Sequence, residues 1–200
     1  MYYTLELSSD TNIIGSQYPQ IQKMKSGYNY DGPNSVYKVG RCYQSLPNFI
    51  PDFDSFVLHS RAKPTDFLSN VFTGPWGYIV SEKVKKILLN FKLPLHDFYP
   101  IKLNYRKQQL DNYYWFHIVC DLTDIVDYPA STFFIYKDYS YDLGDIQISS
   151  KEYLMAKRKQ IEEQNKGHNI TIWAKKIQLT KMIEYDLFHI GRFDSDKYIT

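Results

Sequence analysis

The sequence predicts an α+β protein, a mainly antiparallel sheet carrying a packed amphipathic helix and a more exposed basic helix. Three observations lead there. Val84, Ile87, Leu88 and Phe91 recur at i, i+3, i+4 and i+7, with Lys83, Lys85, Lys86 and Asn90 on the other side, the pattern of a helix with one apolar stripe. Beyond Pro94, Ile101, Leu103 and Tyr105 alternate with polar residues, and Tyr113 to Cys120 is an apolar and aromatic run. That pair of segments reads as a hairpin laid against the helix. From about Ser150 to Lys166 the apolar positions thin out to Tyr153, Leu154 and Ile161 around Lys157-Arg158-Lys159, so this second helix belongs on the surface.

Taken in order, Tyr2 to Leu7 alternates and reads as an edge strand. Residues 8–50 are punctuated by Gly, Pro, Asn and Ser, with Ile13-Ile14 and Val36 to Val39 as the locally ordered pieces. This stretch is expected to be an irregular tyrosine-rich segment packed on the domain. Ser55 to His59 suits a short strand, Thr65 to Ser69 a brief helical piece, and Thr73 to Gly77 a turn. Ser81 is placed to cap the amphipathic helix, with Glu82 at its positive end. Asp127-Tyr128-Pro129 is a turn, Thr132 to Tyr136 an aromatic and β-branched strand, and Ile146 with Ile148 another. Ser149 and Glu152 fit a reciprocal cap for the basic helix, and Gly167 its end. Asn169 to Leu179 reads as a long strand, Phe188 to Ile190 as a short one, and Asp194 onward as the start of a helix that Thr200 cuts short.

Two hundred residues suit one domain or at most two small ones, and a single domain over 1–200 is expected, which at this size buries roughly 70% of its unfolded surface. Nineteen Tyr and twelve Phe fit half-buried sheet faces and equally protein-binding surfaces. The formal charge of +2 is too small to imply nucleic-acid binding. Its distribution is uneven: six Asp against Lys137 between Asp121 and Asp145, then eight Lys or Arg against three Glu between Lys151 and Ile183. Opposed blocks of this kind face each other, are simply solvated, or steer a charged partner. Cys42 and Cys120 form neither a metal spacing nor a disulfide framework, which favours a reduced, cytoplasmic setting. Neither a signal peptide nor an apolar run of about 18 residues is present, so no membrane partner is expected.

Reactive constellations are scarce. Asp121, Asp124 and Asp127, three apart and downstream of His117, are the best metal or acid/base candidates and define an alternative reading as a metal-dependent hydrolase or nuclease. His59-Ser60-Arg61 lacks the G-x-S-x-G turn of a nucleophile, and His96, His168 and His189 have no zinc spacing. Phosphate-binding glycine loops are missing, so no cofactor is expected. Lys157, Arg158, Lys159, Lys175 and Lys176, with Trp173 or Tyr153 to stack, offer a nucleic-acid reading that a plain solvated helix accounts for as well. For protein recognition the preferred residues are Asp138, Tyr139, Tyr141 and Asp142, aromatic anchors in a negative field, together with Lys157 and Arg158.

Four stretches carry a family resemblance: Val80-Ser81-Glu82-Lys83-Val84-Lys85-Lys86-Ile87-Leu88, His96-Asp97-Phe98-Tyr99-Pro100-Ile101, Tyr113 to Asp127 with Ser131, and Tyr185-Asp186-Leu187-Phe188. In this order and spacing, over roughly 51–200, they resemble the Imm-eleven type of immunity protein from bacterial polymorphic-toxin systems. The resemblance implies a small cytoplasmic antidote that binds and neutralises a cognate protein toxin, without catalysis, nucleic acid or membrane. It supplies no catalytic residues, and it puts the toxin contact on surface loops.

Overall fold

The computed structural model describes residues 3–42, 44–72, 77–138, 141–191 and 194–199, the last six by their backbone. The chain divides into two compact units, Met1–Cys120 with Tyr185–Phe188 and Asp196–Thr200, and Asp121–Glu184 with His189–Ser195. In chain order the elements are β1 (Tyr3–Thr4), α1 (Thr11–Ile14), β2 (Ile21–Met24), α2 (Val36–Val39), β3 (Phe56–Leu58), β4 (Phe67–Leu68), β5 (Gly77–Ser81), α3 (Glu82–Leu88), β6 (Leu95–Tyr105) and β7 (Gln108–Val119). They are followed by β8 (Thr132–Lys137), β9 (Tyr141–Ile146), α4 (Lys151–Gln164), β10 (Ile170–Lys176), β11 (Leu187–Gly191) and β12 (Asp194–Ile199). The protein is α+β and mostly sheet.

The first unit is built on a six-stranded sheet of order β2-β3-β6-β7-β5-β4. Every neighbouring strand pair described in it is antiparallel except β3 and β6, which run parallel with Phe56 opposite Leu103. Alternation along β7 sends Tyr113 and Trp115 into a core with Phe53, Phe56, Ile79, Ile101 and Leu103. Phe53 stacks on Trp115 at 4.6 Å with 7° between the rings. The next residues along β7 are also buried, Phe116 to Ile118 without a break, as expected of a strand covered on both sides. Phe116 stacks on Phe98 at 4.7 Å, and Lys85 of α3 lies 3.8 Å from the centroid of Tyr114.

Segment 8–50 is tied down more firmly than its composition implies. It contributes α1, β2 and α2, and Ile21, Met24, Val36 and Val39 are buried in the core. Gln20, almost wholly buried, donates to Lys63 O at 2.7 Å and Thr65 Oγ1 at 3.0 Å while accepting from Ser69 N at 3.0 Å. A buried amide with its groups satisfied fixes the loop it bonds to.

The second unit holds a three-stranded sheet of order β10-β8-β9 and the helix α4. Leu154 and Ile161 of α4 are buried, as are Phe133, Ile170 and Ile172 of the strands. Tyr128 stacks on Phe133 at 6.0 Å, and its hydroxyl donates to Thr123 O at 3.0 Å. Within the β8–β9 pairing, Phe134 faces Asp145 and Tyr136 faces Asp142. Two steps along β8 match three along β9, so β9 carries a bulge around Leu143 and Gly144, the latter at φ +115°. A further sheet has the order β1-β12-β11.

Several expectations are corrected. The helical piece at Thr65 to Ser69 is the strand β4, because Phe67 and Leu68 pair with Val80 and Ile79. Gly77 opens strand β5; residues 73–76 of the expected turn lie outside the described residues. The stretch from Asp194 is the strand β12, paired with β1, where Tyr3 faces Ile199. The strand expected over Ile146 and Ile148 ends at Ile146 and begins at Tyr141. Ser150, one residue beyond Ser149, caps α4 by accepting from Tyr153 N at 3.1 Å. In α3 Val84 is buried, whereas Ile87 and Phe91 are 47% and 45% exposed and the helix closes at Leu88.

Candidate partner-binding surface

The β8–β9 hairpin presents the acidic tyrosine segment. Asp138 follows β8 and is exposed, at φ 51°, with its N–H bonded to Asn169 O at 2.8 Å. Tyr139 lies outside the described residues. Tyr141 and Leu143 stand 62% and 54% exposed on β9, a pair of apolar side chains on an open strand.

Asp142 is not a free charge. Its carboxylate lies 2.7 Å from Lys175 Nζ and accepts Gly144 N at 2.8 Å, and these two bonds, the lysine's first, hold its pKa below the usual carboxylate value. Lys175 also reaches Asp145 at 2.6 Å and lies 5.0 Å from the centroid of Phe134. Both carboxylates raise the lysine's pKa. One ammonium on β10 thus crosses β8 and grips two carboxylates on β9. Lys151 pairs with Asp124 at 2.8 Å in the same way. At Lys151 and Lys175 the acidic and basic blocks face each other.

On α4, Lys157 Nζ donates to Gln160 Oε1 at 3.0 Å, along the exposed side of the helix. Arg158 is turned inward: its guanidinium donates to Ile172 O at 3.0 Å, binding the helix to β10. Sequence reasoning named Lys175 for a nucleic-acid contact and not as the partner of Asp142 and Asp145, and it did not single out Ile172 O. The charge blocks flagged the lysine's segment, but nothing in local sequence pairs a helix arginine with a strand carbonyl fourteen residues on.

The His/Asp alternative fares differently. His117 is fully buried and its Nε2 bonds Cys42 O at 2.7 Å. Burial lowers its pKa, the Cys42 carbonyl opposing only in part, so the ring is neutral and Nε2–H is the donor. Asp121 accepts from Thr123 N at 3.0 Å and Thr123 Oγ1 at 2.5 Å, and Asp127 accepts from Ala130 N at 3.1 Å. These are turn-forming bonds. Among the described residues no group of three His, Cys, Asp or Glu is arranged to hold a metal ion.

The first unit has a groove of about 1040 Å³ between α1 and α3, with the exposed Ile13 and Ile87 on its walls and Asp66, Lys83 and Tyr113 beside them. Asp66 accepts Ser81 Oγ at 2.6 Å and Lys83 Nζ at 2.8 Å, and these bonds keep its carboxyl below the usual range. Tyr113 donates to Thr65 O at 3.1 Å, and burial, reinforced by Asp66, pushes its pKa up to about 12. No helix among the described residues is long and apolar enough to cross a membrane.

In this α+β protein His117, Asp121, Asp127 and Asp142 are engaged in bonds within the fold, while Tyr141 is exposed on a strand and Ile13 and Ile87 along a groove. The model of the immunity protein family Imm11 matches residues 8–179. The chain belongs to that family. Neither a curated protein nor a solved structure matches it.

Proposed function

We propose that this chain is a bacterial antidote that binds a cognate polymorphic toxin in the cytoplasm and neutralises it by occlusion, without turning over a substrate. Membership of the immunity family carries this reading. The engagement of His117, Asp121 and Asp127 in bonds within the fold agrees with it.

The contact surface is Asp138 and the outer strand β9 of the β8–β9 hairpin, together with Lys157 of α4. Tyr141 is the anchor there, because a large exposed ring on an ordered strand loses little freedom on binding. Asp138, without a side-chain partner among the described residues, supplies negative charge, whereas Asp142 orders the strand through Lys175. Arg158 acts through the position of α4.

Replacing Tyr139, Tyr141 and Asp142 together by Ala weakens toxin binding by about 2–4 kcal/mol with circular dichroism unchanged. The dissociation constant measured by calorimetry checks this, and an unaltered value removes the hairpin from the interface.

A further inference from the structure

At the far end of the six-stranded sheet, the β6–β7 turn meets the loop after β3. Arg106 donates to Ser60 O through Nη2 at 3.2 Å and Nε at 3.4 Å, and Tyr105 donates to Ala62 O at 2.9 Å. These bonds gather Arg61, Lys63, Arg106 and Lys107, all exposed, onto two adjoining turns. Lys63 Nζ donates to the carbonyl of Asn12 at 2.8 Å. None of the four has a carboxylate partner among the described residues, whereas Lys83, Lys86, Lys102, Lys151 and Lys175 each lie on one. Gathering like charges without counter-charge costs stability through self-repulsion.

Arg106 has a second cost. It occupies the turn at φ 54°, a left-handed conformation that Gly or Asn adopts with less strain. Glycine there would relax the backbone and remove the guanidinium that ties the two turns together. Strain of this kind is retained where a local geometry matters more than local stability.

We propose that this basic turn pair is a second toxin contact, one that meets an acidic face of the toxin polypeptide; it rests on the antidote reading. Arg61, Lys63 and Lys107 present the charge, and Arg106 is a positioning residue. A protein face suits the patch better than nucleic acid does. Tyr105, the aromatic ring of the turn, is covered by the Arg106 guanidinium at 4.8 Å and its hydroxyl is engaged, so it is not open for base stacking.

The test uses the toxin polypeptide that accompanies the wild-type chain from its host, purified and measured by surface plasmon resonance against wild type and the triple variant R61E/K63E/K107E. Charge at the rim of an interface acts on association. The variant is expected to associate about tenfold or more slowly at low salt, with a flatter salt dependence and a nearly unchanged dissociation rate. Equal association rates and salt slopes, with the toxin still bound tightly, overturn this contact and leave the antidote reading standing. A wild-type chain that binds no such polypeptide overturns both. A 20-base-pair DNA duplex bound by wild type, released by the triple substitution and not displaced by toxin, overturns the protein assignment. Should charge reversal unfold the chain, R61Q/K63Q/K107Q makes the same comparison with half the change in charge.

Discussion

The two long-range hairpins of the molecule are held by different physics. The β6–β7 hairpin runs for eleven and twelve residues and is fastened by buried rings, Phe53 on Trp115 on one face and Phe98 on Phe116 on the other. The β8–β9 hairpin is half that length; from Tyr141 to Asp145 every residue of β9 is exposed, and Lys175 fastens the strand through Asp142 and Asp145. Area removed from water stabilises the first, whatever the salt. Exposed ion pairs contribute little and are screened. The difference separates a frame from an open strand: the buried-ring hairpin sets the architecture, and the ionic one carries exposed side chains whose exchange hardly disturbs it.

The comparison is broken most forcefully at Gly77. A methyl group added there would lie 2.7 Å from Trp115 Nε1 and 2.8 Å from Phe116 O, so Gly77→Ala should destabilise the first unit by about 1–3 kcal/mol through overpacking. Urea denaturation checks this; a midpoint within error of wild type would mean that β5 and β7 yield more readily than a close-packed core does.

Acid should part the two hairpins next. The pKa of His117 in the folded chain lies below the ordinary value of 6.5, so the unfolded chain binds the proton more readily. Stability from the neutral ring is complete above 6.5 and is lost as pH falls toward the folded value. Asp142, depressed below 3.8, keeps its charge through that range. An NMR titration from pH 7 to pH 4.5 should therefore show β6–β7 amides losing protection while the Asp142 carboxylate resonance stays put. Simultaneous loss would show the hairpins to be a single cooperative unit.

Salt gives the smallest effect and the opposite order. At about 0.5 M NaCl, where screening acts within a few ångströms, hydrogen exchange across Tyr141 to Ile146 should quicken by a small factor and that of Tyr113 to Val119 should not change. Equal responses would show the Lys175 grip to be ornamental.

What could be read beforehand follows the same division. Ser81 caps α3 as its hydroxyl and position require, and Ile13-Ile14 and Val36 to Val39 form the short helices at which local order was visible. These signals are local. The parallel pairing of β3 with β6 joins residues nearly fifty apart, and the two-residue β4 exists only because Val80 and Ile79 lie beside it. No periodicity encodes such partners. For the candidate surface, residue types named exposed Tyr141, but they did not separate Asp138, which has no side-chain partner among the described residues, from engaged Asp142 or show Arg158 turned toward Ile172. Charge states what a side chain offers; only folding settles who takes it.

The surplus residue around Leu143 and Gly144 has one more consequence. It throws the outer margin of β9 out of step, so a newcomer strand finds no regular ladder of amides and carbonyls to zip onto. If the proposed contact holds, recognition along this margin is read from side-chain tips, and a change of adversary can be answered by swapping a few of them while the scaffold beneath stays the same.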